Sequence, residues 1–394
     1  MTPQQTRTGR RRVLHVAHHC LPHVGGLETV VAAETSGLRA RGWDVTLLSS
    51  AWSRSPGTRV EDGVRTVRVP AWNGLEARLA VPFPVFSPRL LLATAREVRR
   101  ADLVHVHDPL YLSSWAAVLW CLLLRTPYVV HRHVGFVHHS SALVRLVQRA
   151  VLAGVGRLVL DRARAILPLD DHIAADTRAR VRDRTDVVVL GNGVDTARFR
   201  PANPGERDRI RAELGLPRDR PVVLFVARFV PKKGFPTVAA AASDRYALVF
   251  AGDERPPGVD DRRLHFLGSV PAGEMPRVYR CADVMVVASV GECPLTVLEA
   301  LSSGLPVVAR DDPALHSPWT AGPGVAFVDM ASGGLREVLE RLVDDLDSTR
   351  RLGEEGHAFV RSSFSWDAHL DRLEAVYRTV LARAAEKQTS ATAA

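Results

Sequence analysis

Short runs of β-branched and other apolar residues alternate with longer helical patterns along nearly the whole chain. This alternation restricts the fold more than any other property, because it calls for parallel sheets built from βα units. In the first half the predicted strands are Val13–Ala17, Val45–Ser49, Val64–Val69, Leu103–His107, Tyr128–His131, Ala165–Leu167 and Val187–Leu190. The second half repeats the scheme with Val222–Ala227, Ala247–Ala251, Leu264–Leu267, Val284–Ala288, Pro306–Ala309 and Val325–Val328. Strands apolar on both faces lie between two helix layers. Helical patterns include Glu28–Arg41 and Arg89–Arg100, and two more, about Ser332–Asp347 and Ser365–Ala385, follow the last strand. The expected fold class is α/β, with two Rossmann-like doubly wound domains facing a cleft and ligands at the C-terminal ends of the strands.

With 394 residues the chain exceeds what one core usually supports. Asn192–Arg220 is rich in Pro, Gly, Asn and charge, as expected of a connection between domains. The predicted organisation is a first domain over 1–195, a linker over 196–220, a second domain over 221–364, a C-terminal helix over 365–388 and a disordered small-residue tail over 389–394. The formal charge of +9 is compatible with simple solubility or with attraction to an acidic partner such as a nucleotide or anionic lipid. No basic stripe interleaved with aromatics is present, so nucleic acid is not an expected partner.

Cys20, Cys121, Cys281 and Cys293 are scattered, which suits reduced thiols in a cytoplasmic protein. The apolar run after Arg10–Arg12 is too short for a signal peptide. Leu110–Leu124 is too short to span a bilayer and is predicted to be a buried helix. Ser140–Arg164 places arginines among Leu and Val, the pattern either of a basic amphipathic helix touching the inner face of a membrane or of an ordinary surface helix.

Chemistry concentrates at predicted strand ends. Arg228 follows the strand Val222–Ala227, and Lys233 follows in Pro231-Lys232-Lys233-Gly234; two such cations suit a diphosphate. Glu292 and Glu299 flank the start of the helix after Val284–Ala288, with Pro294 near its first turn. A loop carboxylate can hold sugar hydroxyls, and Glu299 within the helix can reach a ribose. Together these residues outline a nucleotide-sugar site. Gly25-Gly26 follows the first strand and opens a helix, where bare backbone can approach a phosphate or sugar, or simply make a tight turn. His133 lies beyond Tyr128–His131 and is expected to contact the transferred sugar. His105 and His107 flank Val106 and are expected to point to opposite faces; His18-His19 and His138-His139 lack ligand spacing with carboxylates or thiols. No structural zinc or other metal is expected.

These residues, in this order, resemble family 4 of the retaining glycosyltransferases, which have the GT-B fold. The resemblance runs from Pro22-His23-Val24-Gly25-Gly26 through Leu103–His107 and Asn192-Gly193-Val194-Asp195 to Ala227-Arg228-Phe229 with Lys233-Gly234. It continues through Phe266-Leu267-Gly268 and closes with Pro294-Leu295-Thr296-Val297-Leu298-Glu299-Ala300 and Ser303-Gly304-Leu305-Pro306. The resemblance implies a donor-binding second domain, an acceptor-binding first domain and a final helix that crosses back to the first domain. It implies metal-independent, retaining transfer of a hexose-type sugar from a UDP- or GDP-sugar co-substrate, without further cofactor, to a hydroxyl acceptor that is a glycan, a lipid-linked compound or a small molecule. Arg228 and Lys233 are then expected at the diphosphate, Glu299 at the ribose, Leu295 and Thr296 at the donor, and Gly25, Gly26 and His133 near the phosphate and sugar. Two departures stand out. The family's first glutamate aligns with Gly291, so Glu292 sits one place late, and Arg310-Asp311-Asp312 replaces a glycine-containing segment. A non-catalytic nucleotide-sugar-binding protein and a GT-B 2-epimerase are the alternatives.

Overall fold

The computed structural model describes residues 10–392, except Val24 and residues 53–54, 80–82, 136–140, 183–184, 292–293 and 331–332. The chain forms two compact units, one of Met1–Leu190 with Leu370–Ala394, the other of Gly191–His369.

The first unit holds β1 (Arg12–Val16), β2 (Asp44–Ser50), β3 (Gly57–Glu61), β4 (Val64–Val69), β5 (Ala71–Trp72), β6 (Val85–Phe86), β7 (Leu103–His107), β8 (Tyr128–Arg132), β9 (Ala165–Pro168) and β10 (Asp186–Val187). Eight of these strands form one sheet in the order β10-β9-β8-β7-β1-β2-β4-β3. Its pairs are parallel except β3–β4. The order reverses beside β1, which therefore pairs with both β2 and β7. The antiparallel edge strand β3 escapes the sequence pattern because it is mostly exposed and has no apolar run to mark it.

Alternation along the strands sorts the core. Leu14, Val16, Val104, Val106 and Val130 share one cluster with Val118 and Cys121 of the helix Leu112–Leu124. Val13, Leu103 and Val129 face the other way, with Val31 and Leu38 of the helix Gly26–Ala40 and Leu373, Tyr377 and Val380 of the last helix. On that face Trp43 Nε1 donates to Glu374 Oε1 at 2.6 Å. The helix Leu112–Leu124 is not wholly buried: Leu119, Leu122 and Leu123 are exposed, because only one side of a helix can rest on a sheet. No described helix is long and apolar enough to cross a membrane. The helix Ala142–Val151, inside the basic segment, likewise exposes Leu143, Leu146 and Val147.

The second unit is a six-stranded, all-parallel sheet of β11 (Val222–Val226), β12 (Ala247–Ala251), β13 (Leu264–Phe266), β14 (Val284–Val287), β15 (Val307–Arg310) and β16 (Val325–Val328). Its order is β13-β12-β11-β14-β15-β16, the doubly wound arrangement with its reversal beside β11. The segment expected to be a linker instead folds with this unit. Its helix Glu206–Glu213 places Arg211 Nη2 on Asp283 Oδ2 at 2.5 Å and Arg211 Nε on the Cys281 carbonyl at 2.7 Å. Three helices follow β16, Gly334–Asp344, Leu346–Ser363 and Trp366–Thr392, where the sequence pattern suggests two. The last one continues into the tail expected to be disordered, since Ala, Thr and Ser do not break a helix once it has started.

Asp283 also accepts the Val222 amide at 2.8 Å and lies 3.2 Å from Arg207. Removing this buried carboxylate strands two guanidinium groups and a backbone donor. Asp283→Ala is expected to cost about 3–5 kcal/mol in urea unfolding.

Candidate functional site

In an open parallel sheet the crossovers on either side of the reversal run to opposite faces, leaving a crevice at the strand C-termini. In the second unit that crevice lies between the loops after β11 and β14. Arg228 is exposed, two residues beyond β11. Lys233 ends the short 3₁₀ turn Pro231–Lys233. Gly234 then adopts φ +78°, with a would-be Cβ only 2.7 Å from the Ala288 carbonyl, so glycine is required for the β11 loop to close against β14. The Val290 amide donates to the Lys232 carbonyl at 2.9 Å and joins the two loops. Gly252, at φ +141°, brings the β12 end against Ala227 in the same way, and Asp253 Oδ2 accepts the Phe229 amide at 2.5 Å.

Leu295 caps the helix Thr296–Ser302, and Thr296 Oγ1 is buried with no partner among the described residues. Glu299, in that helix's first turn, accepts a hydrogen bond from the fully buried Tyr279 hydroxyl at 2.6 Å. Burial pushes the Glu299 carboxyl up from its ordinary value, while Tyr279 and the Arg198 charge oppose the rise. Glu292 lies outside the described residues. The segment Arg310-Asp311-Asp312 braces the same loop: Arg310 Nε donates to the Ala288 carbonyl at 3.1 Å, and Asp312 Oδ2 accepts the Gly291 amide at 3.3 Å.

The other sequence-predicted residues lie in the first unit. Gly25 caps the helix Gly26–Ala40. The space a Gly25 side chain would fill is taken by the helix's own Glu28, whose Oε2 would clash with a Cβ there. Burial raises the Glu28 carboxyl, which bonds His23 Nδ1 at 2.8 Å; His23 Nε2 in turn meets Glu76 Oε1 at 3.0 Å. Trp52 packs in a T-shaped arrangement against both His19 and His23. Sequence spacing hides this group because its members come from separate loops and helices.

His133 follows β8, but its Nε2 turns inward to His107 Nδ1 at 2.9 Å. His105 and His107 do not point to opposite faces. Residues two apart on a strand share a face, and their rings stack with centroids 4.3 Å apart. His15, His105, His107 and His131 gather around Glu34, all fully buried. Burial holds His15 down to about 4, and His105 and His107 well below the usual imidazole range.

Asp108, just beyond β7 at the first sheet's reversal, has no sequence signature. It is fully buried with φ +62°, accepts the His133 amide at 3.0 Å, and burial pushes its carboxyl up to about 7. Asp108 thus combines a left-handed backbone with a buried, perturbed carboxyl at the switch point.

Residues 24–198 match the model of Glycosyltransferase Family 4, and residues 206–359 match that of Glycosyl transferases group 1. The D-inositol 3-phosphate glycosyltransferase of Corynebacterium glutamicum is 28% identical, over 91% of this chain and 92% of that protein. The Thermomonospora curvata protein of the same name is 30% identical, over 90% of each chain. Among solved structures, sucrose-phosphate synthase from Thermosynechococcus elongatus superposes with a TM-score of 0.74 at 22% identity, over 95% of this chain and 100% of that one. With both halves matched by family models and relatives aligned over nearly their full length, the chain belongs to the family 4-type glycosyltransferases of GT-B fold, enzymes that transfer sugar from nucleotide-sugar donors.

Proposed function

We propose that the chain is a retaining, metal-independent glycosyltransferase that moves a hexose-type sugar from a UDP- or GDP-linked donor to a hydroxyl acceptor. In this reading the second unit binds the donor and the first binds the acceptor. The observation that carries it is the β11–β14 switch point, where Arg228, Lys233 and Glu299 share one strand-end region. Glu299 holds the ribose, with Leu295 and Thr296 beside the donor. Arg228 and Lys233 face the diphosphate and supply the charge that a metal ion would otherwise bring. As the bond from the anomeric carbon to the diphosphate breaks, the acceptor oxygen bonds to that carbon from the same face. Its proton passes to a phosphate oxygen of the leaving group. Glu292 remains the candidate for holding sugar hydroxyls, and Gly25, Gly26 and His133 the candidates near the sugar. The dispersed cysteines favour the cytoplasm, and the exposed Leu143, Leu146 and Val147 favour peripheral contact with a membrane.

The relatives are named for D-inositol 3-phosphate. Beside β1 of this chain, however, Glu28 and Glu76 both engage His23, and two carboxylates repel a phosphate-bearing acceptor. In this reading the buried Glu28 and half-buried Glu76 favour a neutral, hydroxyl-rich acceptor over a phosphate-bearing one. Transfer to inositol is therefore expected to exceed transfer to inositol 3-phosphate when the two are compared at equal concentration; the reverse order rejects the acceptor assignment.

Arg228→Ala and Lys233→Ala are each expected to lower kcat/KM by about 10²–10³-fold. Near-normal turnover of both would reject the donor site, and an inverted anomeric configuration in the product would reject retention.

Glu299→Gln separates binding from stability. The folded-state carboxyl titrates above its ordinary value of 4.5, so its ionised form costs stability that is lost as pH rises through that window. Glutamine does not titrate. The variant is expected to gain thermal stability relative to the parent on going from about pH 4 to about pH 7, while binding the donor about 10- to 100-fold more weakly.

A further inference from the structure

The first sheet carries a cluster of side chains that sugar transfer does not use. His15 projects from β1, His105 and His107 from β7, and Glu34 from the helix Gly26–Ala40, all on the face covered by the last helix. One ligand atom from each of the four lies within 4.8 Å of every other. Glu34 Oε2 is 3.7 Å from His15 Nδ1, 3.9 Å from His105 Nδ1 and 3.8 Å from His107 Nε2, while His15 Nδ1 and His107 Nε2 are 3.1 Å apart. A tetrahedral ion with ligands at 2.0–2.2 Å spaces its donor atoms about 3.4 Å apart. The four atoms are therefore spaced close to what such an ion requires.

The outer partners that a metal site needs are also in place. His15 Nε2 meets the Tyr377 hydroxyl at 3.2 Å, and His107 Nδ1 meets His133 Nε2 at 2.9 Å. His131 Nδ1 lies 3.3 Å from Glu34 Oε1, the oxygen not directed at the other three rings. Contacts of this kind fix ring orientation and carboxylate geometry in metalloproteins. A buried carboxylate among imidazoles matches the N/O preference of late first-row divalent ions.

We propose that Glu34, His15, His105 and His107 form a buried site for a Zn²⁺-class divalent ion, separate from the donor site. To bind it, His105 Nδ1 exchanges its 2.5 Å contact with Tyr377 for the ion, and Tyr377 stays on His15. The ion pins β1, β7 and the helix Gly26–Ala40 together beside the strand reversal, and Tyr377 couples it to the last helix. It is a structural lock, with no step in sugar transfer assigned to it.

The test uses the full chain, stripped with a chelator and titrated with Zn²⁺ or Co²⁺ alone. The expected result is one tightly held equivalent, a tetrahedral Co²⁺ absorption spectrum and a higher Tm in the metal-bound protein. Glu34→Gln and His107→Gln are each expected to weaken binding at least 100-fold, and Tyr377→Phe about tenfold, as for an outer partner. His23→Asn, which alters the separate His19, His23 and Glu76 group, is expected to leave the bound equivalent in place. Absence of a stoichiometric equivalent in the parent protein, an octahedral Co²⁺ spectrum, or loss of metal in His23→Asn would each overturn the proposal, the cluster then being only a hydrogen-bonded network. The metal count and the Co²⁺ spectrum of the parent decide the matter even if a ligand variant fails to fold.

Discussion

A parallel sheet buried on both faces leaves its strand ends as the accessible backbone, and the proposed donor site depends on that. Right-handed crossovers force the helices on either side of a reversal to opposite faces, which opens a crevice there. Both units obey this rule, with reversals beside β1 and β11. At the β11 reversal lie Arg228 and Lys233, the cations proposed for the donor diphosphate. The β1 reversal instead has a strained Asp108 at its mouth and a histidine cluster beneath it.

Glycines with positive φ at the second unit's strand ends serve close approach. Gly234 lets the loop bearing Lys233 lie against Ala288, and Gly252 lets the β12 end lie against Ala227. The cost of such conformations is small for glycine and large for any residue with a Cβ. Arg310 and Asp312 brace the β14 loop with side-chain bonds to the Ala288 carbonyl and the Gly291 amide. Two features make Glu299 a defined acceptor: the rigid helix turn that carries it and the buried Tyr279 hydroxyl that orients it.

Much of the fold is legible in the sequence because buried parallel strands have a strong signature. Val64–Val69, Leu103–His107, Ala247–Ala251 and Val325–Val328 match the predicted residues end to end. The exposed edge strand Gly57–Glu61 has no such signature, and neither does the helix Leu346–Ser363, which contains two glycines yet packs Gly353 and Gly356 closely on their neighbours. The Pro-rich segment after Gly191 resembles a linker by composition but is tied into the second unit by Arg211 and Asp283, a contact across more than seventy residues that local patterns cannot contain.

The two α/β units, the glycosyltransferase family and the places of Arg228 and Lys233 after β11 and of Glu299 in the helix after β14 are legible in the chain, because each depends on local periodicity or on short ordered motifs. Which histidines meet is a matter of long-range packing. His15, Glu34, His105 and Tyr377 come from two strands and two helices, and Tyr377 is far along the chain from the rest. Packing also sets Glu28 over Gly25 and turns His133 inward. Side-chain direction is set by sheet register and by the helices packed above the sheet, and these arise from contacts distant in sequence.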